Sequence, residues 1–148
     1  MKDWDNASDT FLEDYCIFKN IKLTGILLLP QFIEQNIPIG KWIINNDSIN
    51  RGGTHWVSCI VWLNKEKNYE KTLFWGDSFG YTPHDILKNK CKQLGIPIYY
   101  SNIEFQAINE QNCGIWACGF LAFIQDEPKL NIKFINTALK ELKNYKIQ

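Results

Sequence analysis

Arginine is nearly absent from this chain. Of sixteen basic residues only Arg51 carries a guanidinium; the others are lysines, and sixteen Asp and Glu residues bring the formal net charge to zero. Bidentate clamping of phosphates and reading of base edges depend on arginine, and a neutral protein has no overall attraction to nucleic acid or anionic lipid. No nucleic-acid partner is therefore expected. Long apolar runs are also lacking: Ile26-Leu27-Leu28-Leu29 stops at Pro30, far short of the roughly 18 to 20 residues that span a bilayer. No membrane role is expected. The opening MKDWDNASD is acidic and polar, which is not the pattern of a secretory signal. There is no Cys-x-x-Cys pair, and the spacing of Cys113 and Cys118 matches no common zinc knuckle, so neither a metal nor another cofactor is expected. The five cysteines, Cys16, Cys59, Cys91, Cys113 and Cys118, are odd in number. That excludes a simple disulfide framework and points to reduced thiols inside a cell.

What is present is material for a core. The 148 residues are 45% hydrophobic and include six Trp, six Tyr and nine Phe, far from the composition of a disordered chain. No repeat, low-complexity tract or Pro/Gly/Ser-rich linker divides the sequence, so a single domain over 1–148 is expected.

Local patterns predict a mixed α+β domain with one sheet. Thr10 to Phe18 reads as a short helix, and Gly25 to Glu34 as a segment leading through Pro30 into a turn or second helix. Lys41 to Asn45 reads as a buried strand between Gly40 and Asn46-Asp47-Ser48. His55 to Leu63 (HWVSCIVWL) is rich in β-branched and aromatic residues, and the polar turn Asn64 to Asn68 joins it to a second strand, Tyr69 to Gly76, in a hairpin. Thr82-Pro83-His84-Asp85 looks like an N-cap followed by a proline at the first helical position. Leu87, Cys91 and Leu94 then recur at helical spacing up to Gly95, and Ile96 to Tyr100 returns as a strand, a β-α-β passage. Asn112 is placed to cap a helix from Cys113 whose residues are apolar almost all round, ending before Pro128. A last amphipathic helix, Asn131 to Ile147, turns Ile132, Ile135, Leu139 and Leu142 to one face.

One thiol stands where chemistry is favoured. A helix N-terminus directs unsatisfied N–H groups and the positive end of the helix dipole at a sulfur, which stabilises the nucleophilic thiolate. Cys113 occupies such a position, after the polar stretch Asn109 to Asn112 and before Gly114, whose missing side chain leaves room for a substrate backbone. Cys118 falls about 140° away around the helix, a packing position. A cysteine nucleophile needs an imidazole. His84, in the first turn of a surface helix, reads as an exposed spectator. His55 opens a core strand after the flexible Arg51-Gly52-Gly53, at a strand edge where loops build sites. Asp77 follows 22 residues later at the end of the paired strand, where its carboxylate can accept the imidazole Nδ1–H; alternatively Asp-Ser-Phe-Gly is only a turn. Gln106, seven residues before Cys113, can donate to an oxyanion together with the Cys113 N–H; Gln111 is the competitor for that role.

In order along the chain, GTHWV (Gly53 to Val57), WGDSFG (Trp75 to Gly80), FQ (Phe105-Gln106) and NCGIWACGFL (Asn112 to Leu121) resemble the adenovirus-type maturation protease, or adenain, family, in the wider clan of ubiquitin-like-protein (SUMO) proteases. WIINNDS (Trp42 to Ser48) is similar to a strand and turn of adenain-like enzymes of DNA viruses and virus-like transposons. The resemblance runs from about Gly25 to Phe123. It implies a papain-like, circularly rearranged cysteine protease fold: a central mixed, mostly antiparallel sheet packed by helices, with the nucleophile at the N-terminus of a buried helix. By position, His55 matches the general base, Asp77 the orienting acid, Gln106 the oxyanion donor and Cys113 the nucleophile. Trp56 matches the aromatic that lines a narrow channel for glycine-rich substrate, and Gly53, Asn112 and Gly114 complete the expected substrate-binding set.

The function expected from residues and resemblance together is cysteine endopeptidase activity after small residues, at Gly-Gly-X or Gly-X-Gly sites, in the maturation of precursors of a virus or virus-like element. The partner is then a polypeptide substrate, a viral precursor or a ubiquitin-like modifier. The place of action would be inside the host cell, in cytoplasm or nucleus, with packaging in virions implied by the family. Two alternatives stand beside it: an isopeptidase that removes ubiquitin or SUMO-like modifiers with the same four residues, and a catalytically silent module of the same fold that binds a glycine-rich tail.

Overall fold

The computed structural model describes residues 8–46, 55–104 and 113–124. Along them run α1 (Asp9–Phe18), β1 (Gly25–Leu28), α2 (Leu29–Glu34), β2 (Gly40–Asn45), β3 (Trp56–Asn64), β4 (Glu70–Gly76), α3 (Asp85–Leu94), β5 (Ile98–Tyr100) and α4 (Cys113–Phe123). The strands form one sheet in the order β1-β2-β3-β4-β5. The inner pairs β2–β3 and β3–β4 are antiparallel, and each edge strand, β1 or β5, joins in parallel. The sheet is mixed and the class α+β, as the sequence patterns imply. The last helix expected, from Asn131, and the cap at Asn112 lie outside the described residues.

β3 is the central strand, and its sequence explains the layering. Side chains alternate across a sheet, so Trp56, Ile60 and Trp62 enter one core while Val57, Cys59 and Val61 enter the other. A strand covered on both faces reads as nearly continuous apolar sequence, and HWVSCIVWL does. The first core is closed by α1 through Leu12 and Cys16 and by α4 through Trp116, Phe120 and Leu121. The second is closed by Leu29 and Phe32 of α2 and by Leu87 and Cys91 of α3. Both sheet faces thus carry helices.

α4 is a poor helix by intrinsic preference, since Gly114 and Gly119 each cost about 1 kcal/mol relative to alanine. Phe120 and Leu121 are fully buried, each contributing about 1.5 to 3 kcal/mol. Burial therefore outweighs propensity, and the helix exists because β3 and α1 cover it. Its approach to the sheet is set by a missing side chain. A Cβ on Gly76 would lie 2.4 Å from the Phe120 ring and 2.5 Å from Ser58 Oγ.

Three local readings change. The segment Gly25 to Glu34 does lead through Pro30 into a helix, α2, but its first four residues form a strand, β1; Pro30 lies in the first helical turn, and the Leu28 N–H donates to the Gln31 side chain at 3.0 Å. β1 was hidden because a four-residue apolar run carries no period, and its partner β2 lies beyond α2. α3 begins at Asp85 rather than after a Thr82 cap. His84 is the N-cap, its Nδ1 accepting the Ile86 N–H at 3.1 Å, so it is a structural cap and not a free spectator.

Gly76→Ala should lower stability by about 2 kcal/mol or more, since neither Phe120 nor the β3 strand can retreat from a packed interior. Urea unfolding measures this directly; an unchanged midpoint would show that α4 does not rest on Gly76.

Candidate functional site

Strand pairing assembles the site. His55 precedes β3 and Asp77 follows β4, and the antiparallel register that sets Ser58 opposite Gly76 brings those two ends together. His55 is held from its other side as well, its carbonyl accepting the Asn46 N–H at 2.8 Å as the β2–β3 ladder continues. His55 Nε2 lies 2.9 Å from Asp77 Oδ1, with the two side chains 15% and 2% exposed. The sequence reading placed the carboxylate at Nδ1; the structure places it at Nε2. The Cys113 thiol is the second hydrogen-bond partner of the imidazole.

Asp77 does two jobs. The same Oδ1 accepts the Phe79 N–H at 2.9 Å, and the Asp77 carbonyl accepts the Gly80 N–H at 2.9 Å. The turn and the imidazole contact, set against each other as alternatives in the sequence, coexist in one side chain. The turn also places Phe79 face to face with the imidazole, ring centroids 4.9 Å apart at 22°, and Tyr81 beyond it at 5.7 Å. Phe79 was missed in the sequence reading. Its position depends on the Asp77 turn, and the local sequence carries no signal for the stacking.

Cys113 is the first residue of α4 and is 7% exposed. Its Sγ accepts the Trp56 backbone N–H at 3.4 Å. Trp56 itself is 5% exposed. The space beside Gly114 is filled: a Cβ there would meet Leu12 at 2.9 Å and the Trp56 ring at 3.2 Å. The small residue lets α1 and Trp56 pack behind the thiol, a use of glycine different from the substrate clearance expected. Gln106, Gly53 and Asn112 lie outside the described residues.

Burial of the His55 ring works against its charged form. The hydrogen bond to Asp77, then that to Cys113, and the charges of both groups outweigh burial and push the imidazole up to about 9. Burial acts unopposed on Cys59, raising it, and raises Cys91 to about 11 against a weaker pull from Lys71. Both side chains pack in the core covered by α2 and α3. Among the described residues no group of His, Cys, Asp or Glu is arranged to hold a metal, and no helix is long and apolar enough to cross a membrane. The described arrangement thus unites an imidazole, a carboxylate and a thiol, the parts needed to generate and reprotonate a sulfur nucleophile.

No family model matches the sequence, and no curated protein does. Among solved structures, the crystal structure of the ASFV pS273R protease superposes with a TM-score of 0.56 at 13% identity, over 93% of this chain and 63% of that one. The chain has that protease's fold. It spans 63% of the protease's length. A selenomethionine form of the same protease superposes at a TM-score of 0.48 and 12% identity, over 100% of this chain and 68% of its own.

Because the His55 value lies above the ordinary 6.5, the charged ring stabilises the fold fully below that pH, and the contribution is lost as pH rises through about 9. Asp77→Asn removes the carboxylate charge but keeps an acceptor for the Phe79 N–H. The stability advantage of the wild type over Asp77→Asn should therefore shrink between pH 6.5 and about 9 in urea titrations. An advantage that stays flat or grows over that window would contradict the imidazolium–carboxylate pair.

Proposed function

We propose that this chain is a cysteine endopeptidase that cuts after small residues, at Gly-Gly-X or Gly-X-Gly sites, in precursor proteins of a virus or virus-like element. The observation that carries the reading is the shared imidazole: His55 meets Asp77 at 2.9 Å through Nε2 and also has the Cys113 thiol as a hydrogen-bond partner. A silent binding module gives no reason to bury an ionisable pair beside a thiol at a helix N-terminus. Likeness of fold to a viral protease supports the peptidase class and the viral setting. Restricted access supports the substrate class. A thiol 7% exposed, beside an imidazole whose side chain is 15% exposed, is reached by a chain that lacks side chains near the scissile bond.

In this mechanism the Cys113 thiolate, beside the protonated His55, attacks the scissile carbonyl carbon. The Cys113 N–H and the Gln106 amide receive the oxyanion, a contribution of about 3 kcal/mol for a well-placed donor. The tetrahedral intermediate collapses as the His55 imidazolium protonates the leaving amine, and the thioester remains on Cys113. Neutral His55 then takes a proton from water, which attacks the thioester and releases the acid product. Asp77 holds the ring in the orientation that serves sulfur and stabilises its charge. Phe79, lying flat on the ring, blocks its rotation.

Cys113→Ala should lower cleavage of Gly-Gly-X peptides by about a thousandfold or more while near-UV circular dichroism stays unchanged; wild-type turnover in that variant would end the assignment. For the wild type, kcat/KM should fall as pH rises through about 9, where His55 loses the proton that the leaving amine requires. A profile flat through that range would remove His55 as the acid. Faster turnover of ubiquitin-like conjugates than of peptides would keep the chemistry and reassign the substrate.

A further inference from the structure

Two thiols that the proposed chemistry leaves unused are in contact. Cys16 Sγ of α1 lies 3.6 Å from Cys118 Sγ of α4, the residues being 1% and 0% exposed and 102 positions apart in sequence. The contact belongs to a regular docking. Leu12, one turn before Cys16, packs against Gly114, one turn before Cys118. The two helices therefore meet along matched i, i+4 rows: side chain on glycine at one turn, sulfur on sulfur at the next. α1 is thereby fixed directly behind Cys113. The hydrogen bond between the thiols lowers the proton affinity of Cys16 and raises that of Cys118, burial adding to the rise. Cys16 is the thiol of the pair that ionises first.

We propose that Cys16 and Cys118 are a disulfide-forming pair, closed by hydrogen peroxide, that staples α1 to the helix beginning at Cys113. The Cys16 thiolate attacks one peroxide oxygen and the O–O bond breaks. This leaves a sulfenic acid on Cys16 and hydroxide, which takes up the proton Cys16 has lost. The Cys118 sulfur then attacks the Cys16 sulfur, and the S–O bond breaks; hydroxide departs with the Cys118 proton as water. Two thiols are oxidised by two electrons in total, and one peroxide is reduced to two waters. The sulfurs must approach by about 1.5 Å to reach bonding distance, a shift that side-chain rotation and slight helix movement supply. Access comes from α1: a ten-residue helix is not stable in isolation and opens from its docking site more readily than the strands part. Closing so long a loop restricts the unfolded chain and stabilises the fold.

This inference does not depend on the peptidase reading, and it is tested where the candidate nucleophile consumes no oxidant. Cys113→Ala protein, with the wild type in parallel, is treated with hydrogen peroxide, quenched by alkylation and analysed by intact mass and non-reducing peptide mapping. The expected result is loss of two alkylatable thiols, a mass decrease of about 2 Da before alkylation and a linked peptide pair containing Cys16 and Cys118. The melting temperature should rise by about 5 °C or more and return with dithiothreitol. Adding Cys16→Ala should abolish the mass loss and the rise; should that variant not fold, the peptide map decides alone. Absence of the linked pair, a bridge through Cys59 or Cys91, or oxidation that ends at a sulfinic acid would overturn the proposal.

Discussion

The antiparallel ladder between β3 and β4 is the constraint on which the rest of the molecule depends. Its register sets Ser58 opposite Gly76, and a slip by one residue would turn every side chain of either strand to the opposite face. It would also separate His55 from Asp77. The two cores hold the register from both sides, because Trp56, Ile60 and Trp62 fit only under α1 and α4, and Val57, Cys59 and Val61 only under α2 and α3. The geometry of the site is in this sense a by-product of packing. The absent side chain at Gly76 admits Phe120, and α4 comes down onto the sheet with Cys113 at the Trp56 N–H.

Electrostatics then complete what packing begins. A largely buried imidazole would ordinarily be neutral at physiological pH, since burial penalises charge. Here hydrogen bonds to a carboxylate and to a thiol, with the charges of both groups, reverse that preference. The carboxylate is itself held by the turn it forms, through the Phe79 N–H, so it does not rotate away. Phe79 closes the face of the ring. The same short segment, Asp77 to Gly80, thus orients the imidazole by charge, by hydrogen bond and by stacking.

Much of this was legible in the chain. β3, β4, α3 and β5 follow from local composition, turn residues and period, which act over a few residues and need no knowledge of partners. The proximity of His55 and Asp77 followed from recognising the hairpin, and Cys113 from the boundary between a polar stretch and an apolar helix. What was not legible depends on contacts distant in sequence. The contact between the imidazole and the thiol depends on where α4 comes down on the sheet. The neighbour of Gly114 is Leu12, roughly a hundred residues away, and Cys118 meets Cys16 across the same helix pair. β1 and the His84 cap failed for another reason: a four-residue apolar run and a histidine cap carry weak local signals, which tertiary pairing and one hydrogen bond settled.

The central claim is that Cys113, served by His55, is the reactive thiol of the five. Its most direct test is labelling with a Gly-Gly vinyl probe at neutral pH, followed by peptide mapping of the wild type and of His55→Ala. The account predicts modification at Cys113 ahead of Cys16, Cys59, Cys91 and Cys118 in the wild type, and a strong loss of that labelling without the imidazole. Labelling spread evenly over the cysteines, or undiminished at Cys113 in His55→Ala, would contradict it.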